Sequence, residues 1–300
     1  MLNRQKCILY MMEQADRPVN HLELVKWAFL LSEEMPSKGG TSFYDFIPYR
    51  YGPFSFTLFK EMDNLVRNGY LRAVQWYNRE AWELIPEIPR NIGNLSKDVL
   101  CDAARIVQRF QNSPFEDLLN YVYDQFPWYT VNSKVRQLER RCVAEIAVYT
   151  IGYEGSSIDL LLNTLMRAGM RCIVDVRRNP VARRYGFHKS SLNRLCSKVN
   201  IEYVHVPELG IPSNLRRNLD CQAAYNRLFE QYERELLPQA QAQDALRRIA
   251  KLVNSKPAAL MCMEAEPTKC HRSRVAKAVS SMTDLPIHHL QERKCEAVLN

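Results

Sequence analysis

The sequence predicts an α/β protein, a mostly parallel sheet with helices on both faces, preceded by a mainly helical, winged-helix-like domain. Three observations predict it. After residue 146, short β-branched runs alternate with helical stretches. Before it, apolar residues recur at helical spacing and one hairpin pattern interrupts them. The charge divides at the same place. Residues 1–145 hold 18 basic and 18 acidic side chains, whereas residues 146–300 hold 23 and 15, so the whole excess of +8 lies in the second half.

In the first half, His21 to Leu31 has helical apolar spacing, and Pro36-Ser37-Lys38-Gly39-Gly40 reads as a loop. An aromatic string, Phe43 to Phe54, leads to a helix over 55–68 that Asn68-Gly69 closes. Rings at that density are usually packing residues. Tyr70 to Trp76, a turn at Asn78 and Ala81 to Ile85 make a two-stranded wing. Helices follow near 96–110 and 114–125, then a polar connector with Lys134, Arg136, Arg140 and Arg141. The expected domains are therefore 1–130, a connector 131–145, and an α/β domain 146–300. The stretch from His21 to Leu71, with Tyr49-Arg50-Tyr51-Gly52-Pro53-Phe54 and Leu65 through Gly69-Tyr70-Leu71, resembles the antitoxin-like domain called Panacea. That resemblance implies a helical module that binds protein or DNA.

In the second half, strands are expected at 147–152, 172–176, 201–206, 258–263 and 286–290. Ser156 or Ser157 caps a helix ended by Gly169, and further helices fall near 188–199, 222–236, 240–254 and 268–281. Ligands of open α/β sheets bind outside the carboxyl ends of the strands. Those ends are Gly152-Tyr153-Glu154, Asp175-Val176-Arg177-Arg178, His205-Val206-Pro207-Glu208 and Cys262-Met263-Glu264, with Cys270-His271-Arg272 opening the last helix. Carboxylates, arginines, an aromatic ring and a histidine thus converge on one edge. Each has a plain structural role open to it: Asp175 could pair with Arg177, and Glu264 with Arg272. Cys262, Cys270 and His271 lack the usual zinc spacing and a clear fourth ligand, so no metal and no cofactor is expected.

Tyr149-Thr150-Ile151-Gly152-Tyr153, Asp175-Val176-Arg177-Arg178-Asn179-Pro180, Gly186-Phe187-His188-Lys189-Ser190-Ser191-Leu192, Tyr203-Val204-His205, Glu208-Leu209-Gly210, and Cys262-Met263-Glu264 with Cys270-His271-Arg272 resemble, in that order, the bacterial family called domain of unknown function 488. The resemblance covers about 147–291. The family's association with DNA-modification and defence genes implies a nucleic-acid base as substrate and a role in phage defence. Ala182 and Ile211 depart from residues common in that family, which touches the identity of the substrate rather than the fold.

The expected function is a DNA glycosylase. Cleaving an N-glycosidic bond builds positive charge on the sugar, which a carboxylate can stabilise while another orients water. Asp175 and Glu264 are the candidate catalytic carboxylates. Tyr153, Arg177, Arg178, Lys189, His205, His271 and Arg272 are candidate substrate-binding residues, with Arg183 and Arg184 on DNA phosphates. The partner is double-stranded DNA with a flipped base, since a base must leave the stack to be reached. Two other readings stay open. One is a DNA-binding regulator without catalysis. The other is rhodanese-like sulfur transfer, which needs Cys262 or Cys270 exposed in an electropositive loop.

Nine cysteines without a CxxC pair fit reduced thiols and a cytoplasmic setting. No apolar run nears the roughly 18 residues that span a bilayer, and the start lacks a secretory signal. With 46% hydrophobic and 25% charged residues the chain can bury a core, which argues against disorder.

Overall fold

The structure, a computed structural model, describes residues 1–85, 95–216 and 219–291. The chain forms two compact units that divide between Arg140 and Arg141, inside the expected connector. The last part of the expected α/β domain, 292–300, lies outside the described residues. Among the described residues no helix is long and apolar enough to cross a membrane.

The first unit runs α1 (Asn3–Ala15), β1 (Val19–Asn20), α2 (His21–Glu34), β2 (Ile47–Tyr49), β3 (Gly52–Phe54), α3 (Phe56–Arg67), β4 (Leu71–Trp76), β5 (Arg79–Leu84), α4 (Lys97–Phe110) and α5 (Phe115–Gln125). Polar residues start α2, α3 and α4: the side chains of Asn20, Ser55 and Ser96 accept from the backbone N–H of Leu22, Leu58 and Val99. The expected wing is the hairpin β4–β5. Tyr77 and Asn78 turn it with φ of 47° and 60°, as a two-residue primed turn requires. β1 adds to the β5 side, giving the order β1-β5-β4. Part of the aromatic string is core, with Tyr44 and Phe46 buried, and Phe29 meets Phe46, Phe126 and Tyr129 edge-on. Lys26 is buried in this core, its Nζ donating to the Pro53 carbonyl at 3.0 Å, and burial pulls its pKa down to about 7.

The second unit contains β6 (Val148–Gly152), α6 (Ile158–Arg167), β7 (Cys172–Asp175), α7 (Lys189–Lys198), β8 (Glu202–His205), α8 (Gln222–Gln231), α9 (Ala240–Ser255), β9 (Ala258–Cys262), α10 (Arg272–Thr283) and β10 (Ile287–His289). Its five strands are all parallel in the order β10-β6-β9-β7-β8. Right-handed crossovers then decide the faces. The steps β6 to β7 and β7 to β8 travel one way across the sheet, which puts α6 and α7 on one face. The steps β8 to β9 and β9 to β10 travel back, which puts α8, α9 and α10 on the other. The core agrees: Val148, Cys172, Val174, Ala258, Leu260 and Cys262 pack with Phe229, Leu246, Ile249, Val275 and Val279. Alternate strand residues, Ile151, Ile173 and Met261, point to the α6–α7 face. The reversal of direction falls between β7 and β9, so the crevice for a ligand lies at their carboxyl ends. The last helix begins at Arg272 rather than at 268, because Pro267–Lys269 forms a separate 3-10 turn.

Candidate functional site

The crevice is built from the residues that leave β6, β7 and β9. Asp175 ends β7 with Met261 of β9 beside it, and Glu264 lies two residues beyond the end of β9, so both carboxylates stand at the same edge of the sheet. A cavity of about 110 Å³ opens there, lined by Tyr153, Arg177, Arg178, Asn179, Arg216, Cys262, Met263 and His271 among others. Two glycines permit the close approaches around it. A Cβ on Gly152 would lie 1.9 Å from the Glu264 carbonyl oxygen, and one on Gly210 would lie 2.1 Å from the Arg178 backbone nitrogen.

The two carboxylates have different surroundings. Asp175 is fully buried, and both its oxygens are taken. Oδ1 accepts from Arg177 Nε at 2.8 Å and from the Arg177 backbone N–H at 3.1 Å, and Oδ2 accepts from Arg177 Nη2 at 2.6 Å and the Tyr203 hydroxyl at 2.7 Å. Burial works against the Arg177 charge, but the Asp175 carboxylate outweighs it and holds the guanidinium above its ordinary pKa. Burial, then the Asp175 charge, pushes the Tyr203 phenol up. Arg177 also donates to the Tyr153 hydroxyl at 2.8 Å and the Phe187 carbonyl at 3.1 Å. Asp175 therefore fixes Arg177 instead of facing a substrate. Arg177 in turn fixes Tyr153, whose ring is already stacked on Phe187 at 4.1 Å. The expectation that Asp175 meets the sugar and that Arg177 holds phosphate does not match this geometry, and Tyr153, expected to stack on a flipped base, has one face of its ring covered by Phe187.

Glu264 is the more accessible carboxylate, with its side chain 20% exposed. It does not pair with Arg272. Its Oε1 lies 3.3 Å from Arg216 Nη2, and its Oε2 accepts from the thiols of Cys262 at 3.2 Å and Cys270 at 3.0 Å. Burial pushes the Glu264 carboxyl up, but the Cys270 thiol and the Arg216 charge reverse that and leave it below its ordinary value. Arg272 is buried. It donates to the carbonyls of Glu264 and Ala265, so it shapes the loop and is not a substrate arm. His271 is buried too: Nε2 meets the Val176 carbonyl at 3.0 Å, and Nδ1 faces Cys262 Sγ at 3.7 Å and Arg216 Nη2 at 3.4 Å. Since a carbonyl only accepts, Nε2 carries the proton and Nδ1 offers its lone pair. His205 Nε2 meets the Arg177 carbonyl at 3.0 Å and so braces the loop after β7.

Arg178, Arg183, Arg184 and Lys189 are exposed. Arg178 reaches the Pro207 carbonyl at 3.3 Å and lines the cavity; Arg184 reaches the Gly155 carbonyl at 3.0 Å. Arg216 is the residue the sequence reading missed. It sits among polar residues with no strand end to flag it, and only the fold brings it to Glu264. Both cysteines are fully buried, and burial with the neighbouring Cys262 thiol pushes Cys270 well up. That is the opposite of the exposed, electropositive setting sulfur transfer needs.

No curated protein and no solved structure matches the chain. Residues 157–279, the span that runs from the start of α6 through most of α10 and supplies all of this site but Gly152 and Tyr153, match the family described as domain of unknown function DUF488.

Proposed function

We propose that the second unit hydrolyses the N-glycosidic bond of a modified or damaged base in DNA. The observation that carries the reading is Glu264, an ionised carboxylate bonded to two residues, Cys262 and Arg216, that line a small polar cavity. At about 110 Å³ the cavity is smaller than the roughly 150 Å³ that accommodates one benzene ring in a protein core, and well below the roughly 300 Å³ at which whole small-molecule sites begin. Only the edge of a flipped base would enter it, with the rest of the ring and the sugar at its mouth, which fits a base carried by a polymer better than a whole free nucleotide. In this reading Glu264 orients water at the sugar, while Arg178 and Arg216 hold phosphate or the departing base. Asp175, Arg177, Tyr153 and His205 are positioning residues. Arg183, Arg184 and Lys189 supply phosphate contacts along the basic edge. The first unit, whose helices α1 to α3 and hairpin β4–β5 fit a winged-helix arrangement, positions the duplex or a partner.

The test is incubation of the full chain with normal and hypermodified DNA, followed by measurement of free base and abasic sites. Glu264→Gln should abolish release and keep DNA affinity. Full release by Glu264→Gln would sink the assignment. Replacing Arg183 and Lys189 together should weaken DNA binding and lower its salt slope by about 0.9 per lost contact. Affinity independent of salt would point to a small-molecule substrate instead.

A further inference from the structure

The sulfur and nitrogen atoms beneath this cavity form a ligand set that the reading above does not use. Cys262 Sγ, Cys270 Sγ and the ligating nitrogen of His271 all lie within 4.8 Å of one another, and all three residues are buried. Ligands of a tetrahedral zinc ion stand about 3.5–3.8 Å apart, given Zn–S near 2.3 Å and Zn–N near 2.0 Å. The three groups are thus already close to the spacing a single ion imposes. From these distances we propose that Cys262, Cys270 and His271 bind one zinc ion, with the fourth position open to the cavity and Glu264 facing it.

Three independent features support the site. The first is the orientation of His271. Its Nε2–H donates to the Val176 carbonyl at 3.0 Å, which turns the other ring nitrogen, Nδ1, toward Cys262 Sγ at 3.7 Å. A second ring nitrogen tied to a carbonyl is how metal-bound histidines are generally held. The second is Glu264, whose Oε2 lies 3.2 Å and 3.0 Å from the two sulfurs, beside the ligand set and not part of it, so the fourth position stays open. Three protein ligands with a water in the fourth place mark a catalytic zinc site, and a carboxylate beside that water can take its proton and leave hydroxide on the metal. The third is charge. Two thiolates and Glu264 carry three negative charges, which the zinc ion and Arg216, 3.3 Å from Glu264, would balance. Cys262 and His271 also line the cavity, so an ion has a path from solvent. The spacing Cys262 to Cys270 to His271 hides the set in the sequence, because two ligands are adjacent and the third comes from the strand end.

The site does not depend on the glycosidic-bond reading, and its test needs no substrate. The full chain, purified under reducing conditions without chelator, should contain about one zinc per chain by elemental analysis. After stripping, cobalt(II) should bind one to one with tetrahedral ligand-field bands and a sulfur charge-transfer band. Cys262→Ser and Cys270→Ser should each weaken that charge-transfer band and lower cobalt affinity by about a hundredfold or more, while Glu264→Gln keeps both bands. Because the serine chains could fail to fold, the unmodified chain also decides alone: no bound zinc and no sulfur band with cobalt would overturn the site. So would a Cys262–Cys270 disulfide in the reduced preparation, or unchanged cobalt binding by both serine variants. Loss of the bands in Glu264→Gln would make Glu264 a ligand and overturn the open position.

Discussion

At the scale of single residues, two buried charges set testable energies. Asp175 and Arg177 form a closed pair whose oxygens and guanidinium nitrogens are bonded to each other and to Tyr203, Tyr153 and Phe187. Removing one partner leaves the other charged and out of water. Asp175→Asn should therefore lower unfolding free energy by about 3–5 kcal/mol, read from urea denaturation. A change below 1 kcal/mol would show that the pair is not the brace described. Lys26 gives the second case. Its folded pKa is about 7 against an ordinary 10.5. Between those values the unfolded chain takes a proton that the folded chain refuses. The stability contribution is full above pH 10.5 and is lost as pH falls to about 7. It changes by ~1.4 kcal/mol per pH unit well inside that window and more slowly as pH nears 7, so by about 2 kcal/mol between pH 9 and pH 7. Subtracting the stability profile of Lys26→Met from that of the unmodified chain should isolate this slope, and a flat difference would refute it. The sequence makes Asp175 conspicuous but cannot say which way it faces. A carboxylate at a strand end reads the same whether it meets a substrate or an arginine two residues on. Glu264 was equally visible, yet its partners, two thiols and Arg216, come from three segments and are set only by tertiary packing.

At the scale of elements, strand and helix positions were largely legible because their signals are local. Ser157 accepts from the Leu160 N–H at 3.0 Å, and Gly169 ends α6 with φ of 73°, both as the sequence suggests. α1 was not legible. Cys7, Ile8, Leu9, Met11 and Met12 are all buried, so the helix shows a solid apolar run in place of a stripe. The hairpin β2–β3 was hidden as well, with a proline in each of its three-residue strands. The contact of β6 with the loop after β9 gives a prediction at this scale. Gly152→Ala would drive a methyl into the Glu264 carbonyl, at 1.9 Å, and overpacking of that kind costs about 1–3 kcal/mol. Gly155→Ala is the control: nothing lies within 4 Å, and only its φ of +85° opposes the change, at about 1–2 kcal/mol. Gly152→Ala should also displace Glu264, so under the proposed glycosidic-bond hydrolysis it should lose DNA-base release where Gly155→Ala retains it. Equal activity in both chains would remove Gly152 from the site's support.

At the scale of the whole molecule, the two-unit division was legible from charge and pattern, since composition changes where the units do. The stretch Lys134 to Arg140 is exposed and lies at that division. Brief trypsin treatment should cut first between Lys134 and Arg141, giving two fragments by mass spectrometry. First cuts inside β6 to β9 would contradict the compactness of the second unit. The strand order itself was not legible, because parallel pairing leaves no local mark. It has a consequence for synthesis on the ribosome. β6 and β7 do not touch each other through hydrogen bonds; each pairs with β9, which is made far later. At about 5–20 residues per second, roughly 6–23 s separate the making of Val148 from that of Cys262. Throughout that interval the emerging chain carries apolar strands with no partner in the centre of their sheet. A transcript broken before Ala258 would yield no partial sheet, only a chain with open β-edges for chaperones and proteases to find.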